Sequence, residues 1–297
     1  MFVEKIQESL ESVPDYVTFP KTFEKYKWYK PLLVLIVGII IYLVLNVVMI
    51  FIGAILPGTG GIPGVIAGLS GGYDSLNAYT YLGLLSILSV AIILPSLYVA
   101  SKIVRDRPFS SYSTSRKKWN WNIFFKSVAL SAVVLFILTL VDIAIHGFHF
   151  NNHFTIVTFI LCLIITPLQC TAEEYLLRGY VMQTVGSWFG IPILAIVVQA
   201  VIFASAHPYN ILGVIGTLVT GISFGIIAYY SKGLEMTSAI HSVNNIFTFC
   251  ISGFGISAIT ANVDMSSFIM DILFFIIITV LILYLANKQD WFKNVES

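Results

Sequence analysis

The chain has 297 residues, 58% of them hydrophobic and 10% charged, with a mean hydropathy of +0.90. Soluble domains carry about a quarter charged residues, so this composition excludes an ordinary cytosolic protein and describes a membrane one. A formal net charge of +1 supplies no global basic field and leaves no case for a nucleic-acid partner.

A bilayer core needs about 20 mostly apolar residues per helix. Eight such runs are predicted, at 32–56, 80–101, 123–145, 154–184, 190–207, 211–230, 234–252 and 267–286. The expected fold class is therefore all-α, a polytopic membrane bundle of about eight transmembrane helices. Residues 1–30 form an N-terminal segment, 31–150 a first three-helix membrane region, 151–287 a second membrane region and 288–297 a tail. The first run is too long for a signal-peptide core and stays in the membrane.

Between the first two runs lies a Gly-rich stretch, Gly58 to Gly72. It lacks the Gly-Lys-Ser/Thr of a phosphate cradle and reads as a flexible linker. Its Gly68-Leu69-Ser70-Gly71 matches the GxSG of serine intramembrane proteases by letters only, because that serine belongs on a packed helix facing a histidine. His146, His149 and His153 crowd a later connector with irregular spacing, which favours a polar loop over a metal site. The run at 154–184 is overlong at roughly 45 Å, so it must tilt, kink at Pro167 or project beyond the hydrocarbon. Cys162, Cys170 and Cys250 lie in apolar stretches without CxxC spacing and read as packing residues.

Charge placement orients the bundle. Lys5, Lys21, Lys25, Lys27 and Lys30 precede the first run, and Lys102, Arg105, Arg107, Arg116, Lys117, Lys118 and Lys126 surround the connection after the second. Lys232 follows the sixth run, and Lys288 and Lys293 follow the last. With eight crossings all of these fall on one side, and the positive-inside rule makes that side the cytoplasm, both termini included. The loops on the other side, 57–79, 146–153, 208–210 and 253–266, hold no Lys or Arg.

Against this background Glu173, Glu174, Arg178, His207 and His241 stand inside or at the edge of apolar runs. An Asp or Arg at the centre of a membrane helix costs about 2.5 to 3.5 kcal/mol on insertion scales, so such residues must face one another or water and mark a functional site. Glu174 and Arg178 are four apart with acid first, the favoured order for a helical ion pair. Glu173 then points about 100° away, unpartnered within its own turn. His241 and Asn245 present two polar heads in one direction. The three groups come to one level if the turn after the fourth run protrudes, giving an intramembrane cavity expected to open to the cytoplasm, although His207 near the far end of its run argues the other way. Asp142, Glu235 and Asp271 lie near span ends and read as interfacial or snorkelling, while Asn244 reads as a bond to a neighbouring helix.

Glu173 to Arg178 spells EExxxR, Phe203 to His207 FxxxH and His241 to Asn245 HxxxN, in order on three separate runs. This set resembles the CPBP family of intramembrane proteases, which includes CAAX prenyl endopeptidases and the bacterial Abi proteins associated with bacteriocin processing or self-immunity. The resemblance covers roughly residues 150 to 250 and marks 151–287 as a CPBP-like catalytic core. It implies peptide-bond hydrolysis in which Glu173, helped by His207, deprotonates a water while His241 and Asn245 stabilise the oxyanion. Arg178 and Glu174 would fix their helix, with Glu174 assisting the base. Two histidines and a glutamate are also a catalytic zinc set, so Glu173, His207 and His241 form the alternative metal site; without HExxH, metal-independent water activation is preferred. The implied setting is a bacterial cell membrane crossed several times, with lipid, a protein or peptide substrate and a membrane partner protein as partners. A scaffold or bacteriocin-immunity protein on the same fold is the competing reading, and a proton-coupled transporter the third.

Overall fold

The computed structural model describes residues 3–70 and 77–293, and among these every regular element is a helix. All eight predicted runs are helical. In chain order the helices are α1 (Glu4–Ser9), α2 (Lys30–Gly53), α3 (Gly61–Ser70), α4 (Tyr81–Ala91), α5 (Ile93–Val104), α6 (Ser110–Ser113), α7 (Trp121–His146) and α8 (Ile156–Glu174), then a π-helical stretch, Tyr175–Met182, and α9 (Gln183–Phe189), α10 (Pro192–Ser205), α11 (Ile211–Ser231), α12 (Glu235–Gly253) and α13 (Met265–Lys288).

Of the eight expected spans, six coincide with helices long and apolar enough to cross a membrane, among the described residues: Lys30–Gly53, Tyr81–Val104, Trp121–His146, Ile156–Phe189, Ile211–Ser231 and Met265–Lys288. α10 has only 14 residues, about 21 Å at helical rise. α12 is set apart by its polarity: Glu235, Thr237, Ser238, His241 and Ser242 are all buried. A helix surrounded by protein needs no apolar coat, and α12 lies against α7, α8 and α11. The lipid-like faces are elsewhere, on α2 (Ile36, Ile40, Leu43, Phe51) and α7 (Phe125, Val133, Phe136).

Two local expectations are also revised. The Gly-rich stretch is no linker up to Ser70, because Gly61–Ser70 is helix α3, with Val65 buried between α2 and α4; Gly71 and Gly72 lie outside the described residues. The overlong fourth run is a continuous 34-residue helix. Pro167 sits within α8 without ending it, and the irregularity falls at the π-helical stretch instead. Arg178 lies in that stretch and is fully buried.

The lysines and arginines do gather at one end. Lys5 pairs with Asp290 at 3.4 Å, Lys30 Nζ donates to the Arg105 carbonyl at 3.2 Å, and Lys232 Nζ caps the carbonyls of Leu10 and Val13 at 2.7 and 2.6 Å. Glu235, expected to snorkel, is instead wholly buried: it pairs with the buried Arg116 and accepts the Asn120 N–H at 2.8 Å. A buried carboxylate that finds a guanidinium has no reason to reach for water. Val3, Ile6, Leu10 and Val13 of the N-terminal segment pack into the same core as α11, α12 and α13 and close this end.

The N-terminal segment is locked on α9 by a close approach at Gly186. A Cβ there would overlap Val17 Cγ1 and lie 2.6 Å from the Val17 carbonyl oxygen, whereas one at Gly38 would meet only Ala100 Cβ at 3.7 Å. Gly186→Ala is therefore expected to cost about 1–3 kcal/mol, seen as a lower unfolding midpoint in detergent, with Gly38→Ala unchanged or slightly raised.

Candidate active site

Four structural elements contribute the polar side chains. α8 brings Gln169, Glu173 and Glu174 in its last turns, and the π-helical stretch adds Arg178. Phe203 belongs to the last turn of α10 and His207 lies just beyond it, while His241 and Asn245 stand four apart on α12. Gln169, Glu173, Phe203, His207, His241 and Asn245 all line one cavity of about 430 Å³.

The deepest layer is charged. Arg178 Nη1 donates to Glu174 Oε1 at 2.8 Å, and both side chains are fully buried. The guanidinium lies between the rings of Phe203 and Phe224, 4.9 and 5.0 Å from their centroids. The i, i+4 pair expected from spacing is thus present, and a buried pair of this kind holds together because neither ion has water to return to. The same Glu174 Oε1 is 2.9 Å from His241 Nδ1. Since Glu174 is matched by Arg178, Nδ1 carries a proton and donates.

His241 reaches a second carboxylate. Its Nε2 is 3.4 Å from Glu173 Oε2, and Glu173 is only 15% exposed. Two lone pairs at that separation repel, so a proton is needed between imidazole and carboxylate. Glu173 had no partner within its own turn on α8; its partner comes from α12. The result is a chain, Arg178 to Glu174 to His241 to Glu173, running from the protein interior to the cavity wall.

His207 is fixed differently. Its Nδ1 donates to the Phe203 carbonyl at 2.7 Å, and its ring packs edge-on against Phe203 at 4.6 Å and stacked on Tyr209 at 6.0 Å. In the neutral ring this leaves the lone pair on Nε2. The Asn245 amide is held at both ends: its Nδ2 donates to Gln169 Oε1 at 3.2 Å, and its Oδ1 accepts from Asn244 Nδ2 at 3.2 Å. Asn244 therefore bonds its own neighbour. Gln169 is the residue that motif reading missed. The signal was a polar side chain in an apolar run, four before Glu173 and so on its helix face.

The cavity does not open where it was expected to. Its walls continue through Asp142, Asp271 and residues 256–260, all at the end of the bundle free of Lys and Arg, while the opposite end is sealed by the Arg116–Glu235 pair and the N-terminal segment. Asp142 and Asp271 thus flank the outer part of the cavity, and Asp142 accepts from His146 at 2.9 Å.

The remaining sequence features fall outside the site. His146, on Asp142, and His153, stacked on Tyr79 at 5.0 Å, engage different partners. Ser70 Oγ is spent on the Ile66 carbonyl at 2.8 Å. Cys162 and Cys170 are buried and Cys250 half-buried, all unbridged. A zinc set of Glu173, His207 and His241 does not fit the arrangement. His241 Nδ1 is committed to Glu174, and among the described residues no group of three His, Cys, Asp or Glu side chains is placed to hold a metal ion.

Glutamates, histidines and an amide from separate helices thus converge on one cavity. Residues 152–247 match the family model described as Type II CAAX prenyl endopeptidase Rce1-like. That match covers roughly a third of the chain, and over it the chain is similar to the CAAX prenyl endopeptidases. Every motif from Glu173 to Asn245 lies inside it. The chain is also similar to the uncharacterized protein YyaK of Bacillus subtilis (strain 168), 25% identical over 166 residues, which is 52% of this chain and 56% of that protein. This chain thus spans little more than half the length of that relative. No solved structure matches the chain.

Proposed function

We propose that this protein is an intramembrane endopeptidase of the bacterial cell membrane that hydrolyses a peptide bond in a membrane-associated protein or peptide. The observation that carries the reading is the buried relay ending at Glu173 on the cavity wall. In it, a water held between Glu173 and His207 Nε2 gives a proton to Glu173 as its oxygen attacks the carbonyl carbon. The N–H of His241 on Nε2 and an Asn245 amide N–H stabilise the oxyanion. As the tetrahedral intermediate collapses, the C–N bond breaks and the proton held by Glu173 passes to the leaving amine. Arg178 and Glu174 touch no substrate; they hold the His241 ring in orientation.

With the Lys/Arg-rich end in the cytoplasm, the cavity faces outward, so substrate enters from the outer side. The test is to offer peptides to proteoliposomes and map new termini by mass spectrometry in ¹⁸O-water. New carboxyl termini carrying ¹⁸O support the protease. A deletion phenotype rescued fully by the Glu173→Ala, His207→Ala double variant, with no cleavage by wild type, would establish the scaffold reading instead.

Gln169 offers a finer check of the same reading. Gln169→Leu frees the Asn245 amide to rotate, and a misaimed oxyanion donor is expected to lower kcat by about tenfold, short of the roughly 10² to 10³ for losing a donor outright. KM should stay within about twofold. An additive effect of Gln169→Leu and Asn245→Ala would separate the two residues.

A further inference from the structure

A second hollow, of about 530 Å³, lies at the Lys/Arg-rich end, between residues 23–25 and the end of α5. Its walls carry Lys25, Lys102, Arg105 and Arg107 against Glu24 and Asp106, a side-chain balance of two positive charges. The chain is turned sharply here. Arg105 ends α5 in the left-handed region at φ 54°, uncommon for a residue other than glycine, and its carbonyl is held by Lys30.

After that turn Asp106 is driven inside, 1% exposed, with neither carboxylate oxygen accepting a hydrogen bond among the described residues. The Arg107 Nε stands 3.5 Å away, but Arg107 is committed elsewhere: its guanidinium lies 3.7 Å from the Tyr112 ring centroid and bonds to Gln183 and the Gly179 carbonyl. Burial raises the Asp106 pKa, with Arg107 opposing. A buried carboxylate this short of close donors is costly, and Asp106 forms part of the wall of a hollow.

The depth is set by neighbouring rings. Trp28, Tyr29, Tyr98 and Trp188 are all exposed, and Trp188 Nε1 donates to the Trp28 carbonyl at 2.8 Å. Exposed Trp and Tyr at helix ends mark the headgroup level of a bilayer. Beyond them along α2, Ile36 and Ile40 present apolar surface, where acyl chains would continue.

We propose that this hollow binds the headgroup of an anionic phospholipid bearing hydroxyl donors, of the phosphatidylglycerol class. Lys25, Lys102 and Arg105 take the phosphodiester, and Asp106 accepts headgroup hydroxyls. The positive balance favours an anionic lipid over a zwitterionic one, and Asp106 favours a headgroup with donors over choline, which has none. The site lies outside the proposed catalytic cavity and does not depend on that reading.

The test uses the purified full-length protein with phosphatidylglycerol, phosphatidylethanolamine or phosphatidylcholine, and counts bound lipid by native mass spectrometry. Wild type is expected to bind phosphatidylglycerol at least about tenfold more tightly than phosphatidylcholine. Lys102→Gln/Arg105→Gln, two exposed positions, should weaken this about thirtyfold, with Lys288→Gln as an unaffected control. Asp106→Asn should keep the preference for phosphatidylglycerol over phosphatidylcholine, which the positive balance sets, and erase that for phosphatidylethanolamine over phosphatidylcholine. Equal binding of the three lipids, or no change in the double variant, overturns the site. Stronger binding of phosphatidylethanolamine overturns the hydroxyl assignment. Displacement by equimolar sn-glycerol 3-phosphate overturns the lipid source in favour of a soluble phosphate ester.

Discussion

Glu173→Gln is expected to lower kcat for peptide hydrolysis by about 10³-fold, within the range of a lost general base, with KM held within about twofold. Glutamine keeps the shape and the 3.4 Å approach to His241 but has no site to accept the water proton. Because the amide still fills the space, the unfolding midpoint should stay near that of wild type. This separates chemistry from folding: a fall in kcat without loss of stability places Glu173 on the reacting atoms. Retained turnover with normal stability would remove Glu173 as base and leave His207 to carry the step.

Arg178→Met should act in the opposite manner, on stability first. Arg178 and Glu174 are both fully buried, so deleting the guanidinium strands a carboxylate among Phe203, Phe224 and His241. Breaking such a pair from one side costs about 3–5 kcal/mol. The unfolding midpoint should drop sharply, and Arg178→Lys should recover only part of it, since a point ammonium does not reproduce the guanidinium fork or its reach to the two rings. The double variant Glu174→Gln/Arg178→Met removes both charges and should regain most of the stability. It should nevertheless remain catalytically weak, because His241 has lost the ionised carboxylate that fixes its ring. Stability restored together with full kcat would show that the pair is structural only.

Much of this site could be read along the chain because its parts are local. The Glu174–Arg178 pair follows from a separation of four on one helix, and the polar pair on α12 from the same rule. The three motifs that carry the family resemblance all fall within the matched segment. What failed to show was contact between elements. The partner of Glu173 is His241, 68 positions on by number, and that of Asn245 is Gln169 on α8. Neither separation is a helical period. Glu235 was misread for the same reason: its guanidinium comes from Arg116, in the connection before α7. The Gly61–Ser70 helix was hidden by composition, since glycine weakens a helix in isolation but lets α3 pack closely against α2 and α4.

By itself the order of residues determined an all-helical membrane protein, the segregation of Lys and Arg from the opposite loops, and the few ionisable groups worth following inward. These depend on hydropathy summed over a span and on a repeat of about 3.6 residues, both carried by adjacent positions. Only the tertiary structure decided which end the cavity reaches, that α10 and α12 sit short or polar inside the bundle, that Arg178 is buried in a π-helical stretch, and that His241 lies between two glutamates. These depend on helix tilt, crossing and contact between distant segments, which packing of whole surfaces sets and no local spacing records.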